Sequence, residues 1–207
     1  METALVLISY LLGSISTSVW IGKTFYNIDV REFGSGNAGA TNTFRVLGNK
    51  AGIPVLFLDT LKGSIGVALA YLSAYEPKSA EFINLQLGLG IAVLIGHIFP
   101  IFYGFRGGKG VATILGIVIC ILPLACSLSL LIFLAVFFST RIVSLSAMMA
   151  GLSFPIILNV MLGNTNPILT GFSIIVALIL IITHRKNIQR IIKKEESKIT
   201  FFSAKDK

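Results

Sequence analysis

Apolar runs alternate with short polar, glycine-rich loops along almost the whole chain. The runs cover 3–21, 51–75, 82–105, 111–138, 143–162 and 168–183. A helix needs ~20 apolar residues to cross a hydrocarbon core of ~30 Å, so this spacing predicts a helical bundle that crosses a membrane several times. The run 111–138 carries Pro123 near its middle. It reads either as one kinked span, giving six helices, or as two segments broken at the proline, which the one-sided charge of the flanking loops favours. A break there leaves two short segments of ~14 residues, or ~21 Å each. Counting both halves, the expected fold is all-α, a polytopic transmembrane bundle of about seven membrane helices, two of them short.

Composition agrees with the pattern. The chain is 55% hydrophobic and only 13% charged, and its mean hydropathy is +0.88. Such values exclude an ordinary soluble domain. The apolar start could pass for a signal peptide, but Glu2 stands where a basic n-region belongs, so 3–21 is read as the first span. A single integral-membrane domain over 1–207 is expected. Cys120 and Cys126 lie in apolar surroundings without a CxxC pair and read as small packing residues.

The net charge of +8 sits in short loops and a basic tail, so it points to membrane orientation and not to nucleic acid. If Lys62 is assigned to the cytoplasmic end of its span, every Lys and Arg except Lys78 falls on one side. The positive-inside rule then places the loops 23–50, 106–109 and 140–141 and the C-terminus in the cytoplasm, and the N-terminus outside.

Three polar motifs punctuate the apolar runs. The stretch 34–45 holds Gly34, Gly36 and Gly39 among Ser35, Asn37, Thr41 and Asn42, and ends in Arg45. Glycines let a backbone approach a ligand, and an arginine fork suits phosphate. A flexible linker is the alternative, but it needs no such set of hydroxyls, amides and guanidinium. The second motif, Arg106-Gly107-Gly108-Lys109-Gly110, precedes an apolar helix. It reads either as a phosphate cradle at a helix N-terminus or as a turn with snorkelling cations, and it lacks the Walker A pattern. The third comprises Ser144 and Ser146 beside Arg141, with His184 and Asn187 three apart where the last span meets the interface. His97 lies near the end of its span, where a structural histidine is as natural as a catalytic one. Asp59 and Lys62 are three apart inside another span, facing the protein interior either as an ion pair or as a substrate contact. Two distant histidines and few acids offer no zinc site, no Gly-x-Ser-x-Gly elbow is present, and no metal or cofactor is expected.

Together these motifs resemble one family, the bacterial integral-membrane acyl-phosphate:glycerol-3-phosphate acyltransferases. The resemblance runs through Gly13-Ser14-Ile15, Asp29-Val30-Arg31, 34–42 with Arg45 and Gly48, and Asp59 with Lys62-Gly63. It continues through Gly96-His97, Pro100, 105–113, Arg141, Val143-Ser144-Leu145, His184-Arg185, Asn187-Ile188, Arg190 and Glu196. Essentially the whole chain is covered. Ala147 and Lys194 depart from the family pattern, which usually has Ser and Gly there.

The resemblance implies transfer of a fatty acyl group from acyl phosphate to the 1-hydroxyl of sn-glycerol 3-phosphate. The products would be lysophosphatidic acid and inorganic phosphate, in the first step of phospholipid synthesis at the bacterial inner membrane. It assigns Arg45, Lys109 and Arg106 to phosphate, with amides from Gly36, Gly107, Gly108 and Gly110. Ser35, Asn37, Thr41, Ser144 and Asn187 would orient the substrates, and His184 or His97 would support the geometry. No side chain is evident as the general base, and a substrate phosphate could take the proton. The expected partners are the two substrates and membrane lipid, without nucleic acid or an obligatory protein. A transporter of a phosphorylated metabolite is the alternative, since it too would use broken helices and anion-binding loops. It would more often show an internal repeat, and none is found.

Overall fold

A computed structural model describes residues 1–199. The described residues are helical with connecting turns and contain no strand. The chain divides into two compact units, Met1–Pro123 and Leu124–Lys207.

The first unit holds α1 (Glu2–Gly13), α2 (Thr17–Tyr26), α3 (Ala40–Leu47), α4 (Asn49–Ala68), α5 (Ala80–Ile98) and α6 (Val111–Ile121). α4 is its hub, packed against α1, α2, α3, α5 and α6. Glycines decide how closely the helices cross. A Cβ on Gly13 would lie 2.1 Å from the Val93 carbonyl oxygen, and one on Gly96 2.2 Å from that of Tyr10, so α1 and α5 touch backbone to backbone. α4 and α6 repeat the device, with Gly63 against Thr113 and Gly116 against Thr60. Small residues are what helices use to associate in lipid, where burial of apolar surface supplies no drive. Ser9 and Ser64 reinforce the two crossings by donating to the carbonyls of Leu89 (2.8 Å) and Gly116 (3.0 Å).

The expected first span is in fact a bent pair. α1 and α2 meet at 43° across Ser14–Ser16. A break inside a membrane leaves backbone groups that must be satisfied by protein. The Lys62 ammonium donates to the freed Ile15 carbonyl at 2.9 Å and pairs with Asp59 at 2.8 Å. Asp59 also accepts from Thr17 at the start of α2, at 2.7 Å. The two charges are 1% and 4% exposed, and together they act as an internal splint for the break. Of the two readings offered for Asp59 and Lys62, the geometry is that of the ion pair.

The second unit holds α7 (Pro123–Thr140, whose first residue closes the first unit), α8 (Val143–Ile156), α9 (Pro167–Thr183) and α10 (Arg185–Ile192). α8 ends in a π-turn at Ile157–Met161. Asn159, Asn164 and Thr170 then close the turn into α9, Asn164 donating to Asn159 at 2.9 Å and to Thr170 at 3.0 Å. α9 and α10 form a second bent pair, at 59°.

Among the described residues, four helices can cross a membrane by length and composition, and up to six if each bent pair is one span. α6 is a further, shorter apolar helix. The break at Pro123 is present, but the division is uneven: α6 has 11 residues and α7 has 18. Only α6 is therefore short. Proline is well tolerated in the first turn of a helix, so Pro123 starts α7 and Leu122 ends α6. Cys120 is exposed and Cys126 is buried.

Candidate active site

The first two motifs meet at one end of the first unit. The stretch from Asp29 to Gly39 is a loop with one 3₁₀ turn, Val30–Glu32, and it leads into α3. Asn42, 1% exposed, organises this loop. Its Oδ1 accepts from the Ser35 amide (2.8 Å) and the Ser35 hydroxyl (3.1 Å). Its amide nitrogen donates to the carbonyls of Val30 (2.8 Å) and Phe33 (3.1 Å). Gly34, at φ +60°, passes so close that a Cβ would lie 2.5 Å from Asn42 Oδ1. Ser35, Gly36, Thr41 and Arg45 are left on the exposed side, with Asn37 half-buried beside Gly39.

The second motif folds back under this loop. The amides of Gly107 and Gly108 donate to the carbonyls of Ile98 and His97, both at 3.1 Å, and that of Gly36 donates to Phe33 at 3.1 Å. These three nitrogens, assigned to phosphate from the sequence, are committed to the protein. Gly107 and Gly108 serve close approach instead, and Gly36 turns the first loop at φ +71°. A Cβ on Gly108 would lie 2.1 Å from His97 Nε2 and 3.0 Å from the Ala38 carbonyl oxygen, so Gly108 is squeezed between His97 and the first loop. His97 is buried, with Nδ1 3.6 Å from Asp59, and forms the floor of the second loop. Gly110, at φ +89°, caps α6. The first amides of α6 point out of the helix end beside half-buried Lys109, while Arg106 is exposed.

Asp29 and Arg31 fasten the two motifs. Arg31 donates from Nε and Nη2 to the two carboxylate oxygens of Asp29 (2.9 and 2.7 Å). Its Nη1 donates to the carbonyls of Tyr103 (2.7 Å) and Arg106 (3.3 Å) in the second loop. The Arg31 hydrogen bonds hold the Asp29 carboxyl well below the usual carboxylate range against the opposing effect of burial. The same pairing raises the Arg31 guanidinium.

The third motif lies in the second unit. Buried His184 sets Nδ1 2.8 Å from the Leu180 carbonyl. A carbonyl only accepts, so Nδ1 carries the proton and Nε2 is the basic nitrogen. Ser144 and Asn187 converge on Glu196, donating to its Oε1 at 2.7 and 2.5 Å. Arg190 donates to Oε2 at 2.6 Å. Burial acts to raise the Glu196 carboxyl, and the hydrogen bonds from Arg190, Ser144 and Asn187 outweigh it, so its pKa is lowered. Ser144 and Asn187 thus hold a carboxylate, where the sequence suggested substrate. Ser146 donates to the Ile142 carbonyl one turn back, at 2.8 Å.

Four organising residues carried no site role in the sequence reading: Asn42, Asp29, Arg31 and Glu196. The Asp-x-Arg spacing and an Asn closing a glycine run were visible signals. Glu196 was marked by the resemblance alone, since nothing in its local chemistry distinguishes it from its exposed neighbour Glu195. Among the described residues no group of His, Cys, Asp and Glu could hold a metal ion.

This is a helical integral membrane protein whose first unit gathers cations and glycine loops at one end. The family model for glycerol-3-phosphate acyltransferase matches residues 3–194. A glycerol-3-phosphate acyltransferase of Enterococcus faecalis is 42% identical over 204 residues, covering 95% of this chain and 91% of that protein. One from Staphylococcus carnosus is 43% identical over 201 residues, covering 96% and 98%. Among solved structures, PlsY, an integral membrane glycerol 3-phosphate acyltransferase in its glycerol 3-phosphate form, superposes with a TM-score of 0.86. It is 37% identical, and the match covers 96% of each chain. The chain belongs to the glycerol-3-phosphate acyltransferase family and is an acyltransferase.

Proposed function

We propose that the protein transfers a fatty acyl group from acyl phosphate to the 1-hydroxyl of sn-glycerol 3-phosphate. The hydroxyl oxygen bonds to the acyl carbon, and the bond from that carbon to the phosphate oxygen breaks. Inorganic phosphate leaves with the electron pair, and the hydroxyl proton passes to a phosphate oxygen. The products are lysophosphatidic acid and inorganic phosphate, the opening step of phospholipid synthesis. The observation that carries this reading is the meeting of the two glycine-rich motifs at Gly108 and Ala38, with Arg45 on α3 and Arg106 and Lys109 on the second loop.

Both substrates bear phosphate, and one bears a long apolar tail, which suits a cationic face at the end of a membrane-embedded bundle. Acyl phosphate is an activated anhydride, so positioning and charge stabilisation can supply most of the rate. Arg45, Lys109 and Arg106 bind phosphate, aided by the amide of Gly110 and the first turn of α6. Ser35, Asn37 and Thr41 orient the acceptor. Gly107 and Gly108 let the backbone close up, Gly36 supplies the left-handed turn of the first loop, and His97 supports the second loop. In the second unit, Ser144 and Asn187 act through Glu196, and His184 offers Nε2. A single acyltransferase domain over 1–207 is proposed, although 200–207 lie outside the described residues. Its cationic face is assigned to the cytoplasmic side of the inner membrane, with the N-terminus outside.

The test is incubation of the purified protein with glycerol 3-phosphate and acyl phosphate, with acyl-CoA and acyl carrier protein thioester as rival donors. Lysophosphatidic acid should form from acyl phosphate alone. Turnover confined to a thioester donor would overturn the assignment of the donor. Export of a phosphorylated metabolite from vesicles without acyl transfer would favour the transporter.

A further inference from the structure

Arg31 lies beside an anion-binding face, carries a permanent charge and is only partly exposed, so by composition alone it would be counted among the phosphate ligands. Its hydrogen bonds say otherwise. Nε and Nη2 are spent on Asp29, and Nη1 on the carbonyls of Tyr103 and Arg106. The Arg31 amide also donates to Asp29 Oδ1 at 3.0 Å. Lys23 adds a longer contact to Asp29 at 3.4 Å. Asp29 thus aims a planar fork away from solvent and into the second loop.

That loop needs holding. Gly104 and Phe105 are consecutive left-handed residues, at φ +65° and +57°, and phenylalanine pays a steric penalty there that glycine does not. The turn brings the carbonyls of Tyr103 and Arg106 to the same nitrogen. From Arg106 the chain runs directly into Gly107, Gly108 and Lys109.

We propose that Arg31 is a positioning residue, locked by Asp29, which ties the loop carrying Lys109 to the first glycine motif and so sets acceptor affinity without touching the substrate. The proposal rests on the reading of that face as the glycerol 3-phosphate site. Lysine keeps the charge but has all its donors on one atom, so it cannot pair bidentately with Asp29 while a separate nitrogen reaches the second loop. Loss of the clamp leaves the phosphate-binding groups present but loosely placed, which weakens binding more than it slows a bound substrate.

The test is steady-state kinetics of Arg31→Lys, Asp29→Asn and the double variant, in detergent, on protein whose thermal midpoint and gel-filtration profile match wild type. Arg31→Lys should raise the apparent KM for glycerol 3-phosphate about tenfold and change kcat by no more than about threefold. Asp29→Asn, close to isosteric, should do the same, and the double variant should be no worse than either single one, because all three lose one device. A wild-type KM in Arg31→Lys would overturn the proposal. So would Asp29→Asn with a KM at or below wild type, the result expected if Asp29 merely restrained a phosphate-binding arginine. If Arg31→Lys does not yield folded protein, Asp29→Asn decides alone. Tryptic cleavage after Arg106, followed by mass spectrometry, is a readout independent of turnover. It should be faster in each variant than in wild type, and an unchanged rate would count against the clamp. Wild-type protein that fails to join the two substrates would defeat the functional reading and not the clamp, which the cleavage rate still measures.

Discussion

The His97 ring and the Gly108 backbone are in direct contact: the Cβ of any larger residue at 108 would fall 2.1 Å from His97 Nε2. The ring cannot simply retreat, since it is buried with Asp59 at its other nitrogen. Gly108→Ala must therefore lift the second loop and Lys109 with it. The expected outcome is a KM for glycerol 3-phosphate raised about tenfold with a smaller change in kcat, measured by initial rates. Wild-type kinetics in this variant would show that the loop can shift without consequence.

Lys109→Ala and Arg45→Ala should behave differently. Both residues belong to the proposed phosphate-binding set, and on that proposal their charges stabilise the negative charge that concentrates during transfer. Turnover should fall by about a hundredfold or more in each, by analogy with loss of an electrostatic stabiliser. Thermal midpoints should stay close to wild type. Turnover within a few-fold of wild type in either variant would remove that residue from the phosphate-binding set.

The Asp59–Lys62 pair supports the break between α1 and α2 from inside the membrane region. Removing one partner leaves a buried charge without compensation, which costs roughly 3–5 kcal/mol in buried pairs. Lys62→Met or Asp59→Leu alone should lower the detergent-solubilised thermal midpoint sharply. The double variant should recover part of the loss, because neither charge remains. A double variant less stable than both single ones would refute the splint.

Glu196 introduces an acid sensitivity in the second unit. Its folded pKa lies below its value in the unfolded chain. Its contribution to stability is therefore fully present above the ordinary carboxylate pKa of ~4.3 and is lost as pH falls through the lowered folded value. Thermal midpoints measured from pH 7 downward should drop more steeply in wild type than in Glu196→Gln. The variant should already be less stable at neutral pH, where an amide cannot serve Ser144, Asn187 and Arg190 together. Parallel pH curves would show that the carboxylate carries no such linkage.

The class of the protein was legible from the order of its residues. Apolar runs of membrane-spanning length, cations confined to a few loops, and a proline inside an overlong run define a helical membrane bundle without reference to coordinates. The motifs around Gly34, Gly108 and His184 were legible too, because glycine, arginine and histidine carry their chemistry in their own structures. The tertiary structure decided which groups are already occupied. The amides of Gly36, Gly107 and Gly108 donate to nearby carbonyls, the Ser144 hydroxyl and the Asn187 side-chain amide donate to Glu196, and the Arg31 fork holds Asp29 and a loop 72 residues away in sequence. It also decided that the first span breaks at Ser14–Ser16 and that Lys62 makes the break tolerable. Helical periodicity reports which face of a segment is buried. Hydrogen-bond partners are chosen by whatever distant element the fold brings within 3 Å or so, and no local spacing encodes that choice.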